Sequence, residues 1–238
     1  MKKIFLVVIS IFILLMSAVG FAAENNNLMD LNKQAQDAYD AGDFQKALTI
    51  STSIIDADAK STDAYYIRGR SYMGVGKYNE AVADLNKVIE VAPGFVIPYV
   101  DRANAYMALQ DYKKAFLDAN KAVEIAPELA GPRNTRVMVL FNMGDVKSAL
   151  VDCEFLLKLD PNNTDYLLNR GLCYAGIGKM KEAIADYSQA LKLNAQIVDG
   201  YILRAAAYDS IGEKAKAKKD MDEAIKLKPE LIKQVDAR

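Results

Sequence analysis

Five arginines and five aspartates recur through the chain at one spacing. Arg68, Arg102, Arg136, Arg170 and Arg204 lie 34 residues apart, and Asp84, Asp118, Asp152, Asp186 and Asp220 follow them, each 16 residues on. A guanidinium beside a carboxylate can bind an anion, orient a proton-transfer group or lock two chain segments together. Repetition selects among these: an active site is built once, whereas a clamp closing several like elements has to be built in each. The pairs therefore read as structural. Other chemistry has little to work with. The chain has no histidine, which removes the commonest general base and metal ligand. Gly74-Val75-Gly76-Lys77 has the look of a phosphate loop, but Ser71 stands where its first glycine belongs, Tyr78 where its serine or threonine does, and no strand pattern precedes it. No enzyme activity, cofactor or metal site is expected.

The pairs sit on a strict period. Alanine recurs at 47, 81, 115, 149, 183 and 217 without one insertion, so every repeat must do the same job, burying against its neighbours a face it cannot bury alone. With that alanine as position 20, repeats begin at Leu28, Thr62, Val96, Ala130, Thr164 and Val198 and fill residues 28–231. In each, apolar residues return at three- and four-residue steps through two stretches of about a dozen residues, the helical period. Between the stretches stand Gly42-Asp43, Gly76-Lys77, Gln110-Asp111, Gly144-Asp145, Gly178-Lys179 and Gly212-Glu213, where glycine suits a helix end that needs a left-handed residue. Pro93, Pro127, Pro161 and Pro229 follow the second stretch and cannot continue it. Each repeat is thus a helix hairpin, with arginine at position 7 and aspartate at position 23 at similar height across it. Repeat one lacks both, carrying Gln34 and Ile50. That joint loss favours pairing within a repeat, because pairing to the preceding repeat would strand Arg68 and Asp220.

These residues resemble the tetratricopeptide repeat family, whose unit has an aromatic at position 4, a small residue at 8, tyrosine at 11, alanine at 20 and proline at 32. Repeat two supplies Tyr65, Gly69, Tyr72, Gly76, Tyr78, Ala81 and Pro93; repeat three Tyr99, Ala103, Tyr106, Ala115, Ala122 and Pro127; repeat six Tyr201, Ala205, Tyr208, Ala217, Ala224 and Pro229. Repeat four departs most, with Arg133, Val137 and Leu140, and repeat one keeps only Ala35, Phe44 and Ala47; distortion is expected in both. The resemblance implies an all-α fold, a right-handed superhelical α-solenoid of six 34-residue helix-turn-helix repeats at 28–61, 62–95, 96–129, 130–163, 164–197 and 198–231. The small residues at 8 and 20 mark the closest approach of two helix backbones. Positions 21 and 22 are mostly apolar, as in Phe116-Leu117 and Leu150-Val151, and are expected to face the next repeat. Lys218-Lys219 in repeat six, and Asp30 and Asp37 in repeat one, then close the array with polar faces.

In the family, positions 2, 5, 9, 12 and 13 of the first helices line a concave groove that holds an extended peptide or a partner's helix. Carried over, these are Tyr66, Arg70 and Met73 in repeat two, Ile97, Val100, Asn104 and Met107 in repeat three, Asn134, Met138, Phe141 and Asn142 in repeat four, and Leu168 and Leu172 in repeat five. The middle of this groove is apolar and rich in methionine, which adapts to irregular partners. Asn104 and Asn134 could hydrogen-bond the backbone of an extended ligand. Members that grip a C-terminal carboxylate use a lysine, arginine and asparagine cluster that only Arg70 and Asn104 approach here. A protein or peptide partner offering apolar side chains is expected, and no small-molecule substrate.

The N-terminus carries an address. Lys2 and Lys3, an uncharged apolar run from Ile4 and small residues up to Ala23 read as a signal peptide over 1–22. Gly20 and Ala22 favour cleavage after Ala22, leaving 23–27 as a short linker. The rival is an uncleaved anchor, since twenty residues from Ile4 to Ala23 can span a bilayer. Of 30 basic side chains the leader takes Lys2 and Lys3, so 28 remain against 31 acidic ones, mixed throughout. Nucleic acid is not an expected partner, because no basic stripe forms. An exported bacterial scaffold in the periplasm or at the cell surface is expected, with a membrane partner only if the leader is retained; a self-associating structural protein is the alternative. Export permits a disulfide between Cys153 and Cys173, on adjacent helices of repeats four and five, and buried free thiols fit the pattern equally. The tail, 232–238, is expected to add a turn or two over the last repeat.

Overall fold

Twelve helices run through the described residues, 27–231, of the computed structural model, with no strand among them. The expected leader, almost all of the linker and the tail at 232–238 lie outside the described residues. α1 covers 27–40. It is followed by α2 (Phe44–Ala57), α3 (Thr62–Gly74), α4 (Tyr78–Val91), α5 (Val96–Ala108), α6 (Tyr112–Ile125), α7 (Ala130–Asn142), α8 (Val146–Leu159), α9 (Thr164–Gly176), α10 (Met180–Leu193), α11 (Val198–Ser210) and α12 (Lys214–Leu227). A 3-10 turn at Pro229–Leu231 ends the series. Among the described residues no helix is long and apolar enough to cross a membrane.

Local chemistry explains the regularity. After each first helix one residue adopts left-handed backbone: Gly42, Gly76, Gly144, Gly178 and Gly212 at φ between 76° and 82°, and Gln110 at 59°. The next N–H, on Asp43, Lys77, Asp145, Lys179 or Glu213, then donates to the carbonyl five residues back at 2.8–2.9 Å, capping the helix end. The second helix starts at once. Asp43, Asp111 and Asp145 accept from the backbone N–H of Lys46, Lys114 and Ser148, satisfying a donor with no partner inside the helix.

Two compact units follow one another, the first up to Leu109 and the second from Gln110, so that α1–α5 belong to one and α6–α12 to the other. In the first, Ala35, Ala38, Ala47, Ile54, Ile55, Ala64 and Ile67 form the core, as α2 packs on α3, α3 on α4 and α4 on α5. The second has one cluster around Val137, Leu140, Ala149, Cys153, Leu156 and Cys173 and another around Leu157, Leu167, Ala183, Tyr187 and Ala207. The recurring alanine is fully buried at 47, 81, 115, 149 and 183 and 9% exposed at 217. Position 8 opposes position 24 as closely as position 20. A Cβ on Gly69 would lie 3.3 Å from Leu85 Cγ and 3.5 Å from the Ala81 carbonyl oxygen, and one on Gly171 would lie 2.4 Å from Tyr187 Cε1.

Two expectations need correction. Position 21 is partly buried, but position 22 points outward: Leu117 is 67% and Val151 66% exposed, because the 100° turn from position 21 carries position 22 past the edge of the buried face. Repeat four is also undistorted, with α7 and α8 matching the other pairs in length. Arg133 replaces the aromatic at position 4 and does its work. Its Nε donates to the Pro127 carbonyl at 3.0 Å, as the Tyr99 hydroxyl does to Pro93 in repeat three, and its guanidinium lies 3.8 Å from the Phe155 ring centroid.

Candidate functional site

Within the two units, four of the recurring arginines clamp their own hairpins. In each, Nε and Nη2 meet the two oxygens of one carboxylate in parallel at 2.7–2.8 Å: Arg68 with Asp84, Arg136 with Asp152, Arg170 with Asp186 and Arg204 with Asp220. The aspartate side chains are 2–7% exposed and the arginines 18–26%. Hydrogen bonding to the carboxylate raises Arg68, Arg170 and Arg204 above the ordinary guanidinium value, against the opposing effect of burial. Of the fifth pair, Arg102 belongs to the first unit and Asp118 to the second.

The third donor reaches further than the sequence reading foresaw. Nη1 of Arg102 donates to Asn86 at 2.6 Å, that of Arg136 to Asn120 at 2.8 Å and that of Arg204 to Ser188 at 3.0 Å. Each acceptor sits at position 25 of the preceding repeat, so the guanidinium of Arg136 or Arg204 ties its own hairpin to the second helix before it. The available signal is a short polar side chain 16 residues ahead of the arginine. In Arg136 and Arg204 the fork and the third donor are both taken up inside the array, leaving little for a ligand.

The varying residues on the first helices are different. In the first unit Tyr66, Arg70 and Met73 on α3, and Val100, Asn104 and Met107 on α5, are half-buried, and Ile97 is 40% exposed. The Arg70 guanidinium lies 4.3 Å from the Tyr39 ring centroid and 5.4 Å from that of Tyr66, a stacked cation–π arrangement. Its Nε is 3.8 Å from Asp101 Oδ2, too far for a hydrogen bond. The Tyr66 phenol and the Asp101 carboxyl lie near enough to perturb each other's ionisation. Burial pushes both groups up, the Asp101 carboxyl and the Tyr66 phenol, and leaves Asp101 Oδ2 without a hydrogen-bond partner. Asp101 and Tyr39 were not anticipated in this cluster.

In the second unit Asn134, Met138 and Phe141 on α7 and Leu172 on α9 are half-buried, and Asn142 is exposed. Leu168 is 8% exposed and packs in the core with Leu167 and Tyr187. It is therefore removed from the face, since position 5 of α9 turns toward the hairpin interior. Asn142 spends its amide on the Met138 carbonyl. Asn134 accepts from Asn169 at 2.9 Å and keeps its own N–H donors. Tyr66 with Asp101 and Asn134 with Asn169 share a 35-residue separation, position 5 of one repeat to position 6 of the next. Polar Asp101 and Asn169, where repeats two and six carry Ile67 and Leu203, are the signal for this pairing.

Family models described as Tetratricopeptide repeat match residues 62–95, 98–129, 164–196 and 198–231, more than half of the chain. The chain belongs to the tetratricopeptide repeat family. A Protein SGT1 homolog from Oryza sativa subsp. japonica is 38% identical over 64 residues, 27% of this chain and 17% of that protein; the chain thus spans about a sixth of that relative. A tetratricopeptide repeat protein from Parabacteroides merdae ATCC 43184 superposes with a TM-score of 0.73 at 22% identity, covering 87% of this chain and 82% of the other. YrrB, described as a TPR protein with an unusual peptide-binding site, gives 0.58 at 21% identity, covering 79% and 96%. MamA 41-end from Desulfovibrio magneticus RS-1 gives 0.63 at 17%, covering 71% and 96%. At these identities the structures are alike in fold. The matched residues of the tetratricopeptide repeats fall on repeats two, three, five and six, those with the fullest set of marker residues. Tetratricopeptide repeat proteins are in general non-enzymatic scaffolds for contacts with other proteins.

Proposed function

We propose that the chain is an exported, non-enzymatic scaffold that holds a polypeptide partner against the first-helix faces of its middle repeats. The observation that supports this most is the row on α5: Ile97, Val100, Asn104 and Met107 return at three- and four-residue steps, Ile97 exposed and the others only partly buried, although apolar side chains at such spacing normally become core. Asn104 makes no side-chain hydrogen bond among the described residues, leaving an amide for a ligand backbone. Beside it, the Tyr39, Tyr66 and Arg70 stack makes one end of this row flat, aromatic and cationic, a surface for a planar or aromatic partner group. The partner is expected to be extended or helical, with apolar side chains over α5.

The charged start and apolar run from Lys2 to Ala23 support export to the periplasm or cell surface. The mass of the mature chain checks this part separately: a start at Ala23 is expected, and an intact Met1 contradicts cleavage. Photo-crosslinking in living cells tests the binding face. A photoreactive residue at Met107 should capture a defined partner, while one at exposed Lys121 on α6 should not. Equal products from both sites would overturn the reading.

A further inference from the structure

The two cysteines are the nucleophilic side chains that neither the clamps nor the proposed binding face use. Cys153 lies on α8 and Cys173 on α9, both fully buried in one core cluster with Val137, Leu140, Val146, Ala149 and Leu156. The two side chains share that cluster and perturb each other's ionisation, the Cys153 thiol being raised and the Cys173 thiol lowered. Chance does not readily bring this about. A buried side chain touches about 6–12 others, so two cysteines placed independently in this chain would meet about one time in twenty to forty. Even among buried positions alone, contact would be the minority outcome. The pair also occupies columns where repeat two has Leu85 and Ser71 and repeat six has Met221 and Ala207, so the packing does not demand sulfur at either position.

We propose that Cys153 and Cys173 close an intramolecular disulfide that staples repeat four to repeat five when the chain folds under oxidising conditions. The covalent loop holds the second half of α8, the connection Asp160–Asn163 and the first ten residues of α9, the junction at which stacking passes from one hairpin to the next. The chemistry is thiol–disulfide exchange with an external disulfide, either a small molecule or the active-site disulfide of an oxidoreductase. One cysteine thiolate attacks a sulfur of the external disulfide, forming a mixed disulfide and expelling one thiolate. The other cysteine thiolate then attacks the first cysteine's Sγ, breaking the mixed bond and expelling the second thiolate. The two cysteine protons pass to the departing thiolates, and the external disulfide takes up the two electrons. Because both sulfurs are fully buried once α9 has docked on α8, exchange precedes docking, and the finished bond resists reductant until this junction opens.

The test is refolding of the full chain from denaturant in a buffer of reduced and oxidised glutathione, followed by alkylation and non-reducing peptide mass mapping. A single linked peptide pair containing Cys153 and Cys173 is expected, with no free thiol in the unfolded, unreduced product. The oxidised chain should melt higher than the reduced chain by roughly 5–10 °C, and Cys153→Ser should abolish that difference. Two free thiols after refolding, or linkage between separate chains, would overturn the proposal. Formation in the cell draws on the export proposed above, but refolding in glutathione does not. A bond that forms in vitro in a chain found to stay in the cytoplasm would sink the export reading and leave this one standing.

Discussion

Replacing Asp186 by alanine removes both acceptors of the Arg170 fork, which it holds at 2.8 and 2.7 Å. The cost lies between two limits: an exposed ion pair is worth about 0–1 kcal/mol, while stranding one partner of a buried pair costs about 3–5 kcal/mol. The carboxylate is 6% exposed but the arginine 26%, so the cation left behind recovers part of its hydration. We expect a loss of about 2–3 kcal/mol for Asp186→Ala. Arg170→Ala strands the more deeply buried partner and should cost more, about 3–5 kcal/mol. Changing both, Arg170→Met with Asp186→Leu, leaves no stranded charge and should recover most of the loss. Urea unfolding followed by far-ultraviolet circular dichroism measures these differences, with midpoint and slope compared together because a repeat array can open locally. Asp222→Ala on the exposed side of α12 is the control, expected within about 0.5 kcal/mol of the parent. If Asp186→Ala costs no more than Asp222→Ala, the clamp is not what holds the hairpin.

Gly171→Ala should destabilise by about 1–3 kcal/mol, because its Cβ would fall 2.4 Å from the Tyr187 ring; thermal unfolding should show most of that loss relieved by Tyr187→Leu, the partner that Gly69 has in Leu85. Gln110→Gly should gain about 0.5–1 kcal/mol in denaturant titration by relieving a left-handed non-glycine residue, and no gain would mean the turn is unstrained. Asp101→Asn should stabilise the chain at pH 7, since burial raises this carboxyl above its ordinary 3.8 and ionising it therefore costs folding free energy. The advantage is full above the folded-state value and fades as pH falls through it toward 3.8. Lower stability of Asp101→Asn at pH 7 would show that the contact with Arg70 outweighs the burial.

The fold was legible because its determinants recur. Each left-handed turn falls on a glycine that the sequence displays, apart from Gln110, and the partnership of arginine with aspartate followed from their joint absence in repeat one. What escaped the reading depends on side-chain reach across repeats. The Nη1 contacts to Asn86, Asn120 and Ser188 need the arginine's fork geometry, and the contacts of Tyr66 with Asp101 and Asn134 with Asn169 cross from one first helix to the next. Arg133 looked like a defect because family markers record residue type, whereas the structure asks only for a donor to Pro127 and a flat group beside Phe155. Leu168 was misplaced because α9 buries two consecutive leucines, Leu167 and Leu168, a rotation of the buried face that column counting does not register.

The central claim is that recurring residues hold the array while the varying first-helix residues bind. It is tested most directly by a residue-by-residue photo-crosslinking scan along α5, Val96–Ala108, in cells producing the full chain. Capture of one partner should peak at Ile97, Val100, Asn104 and Met107 and fall to background at Tyr99, Ala103 and Ala105, which are buried, and at half-buried Arg102, the clamp position. Yields that ignore this helical period, or that peak at Arg102, would contradict the account.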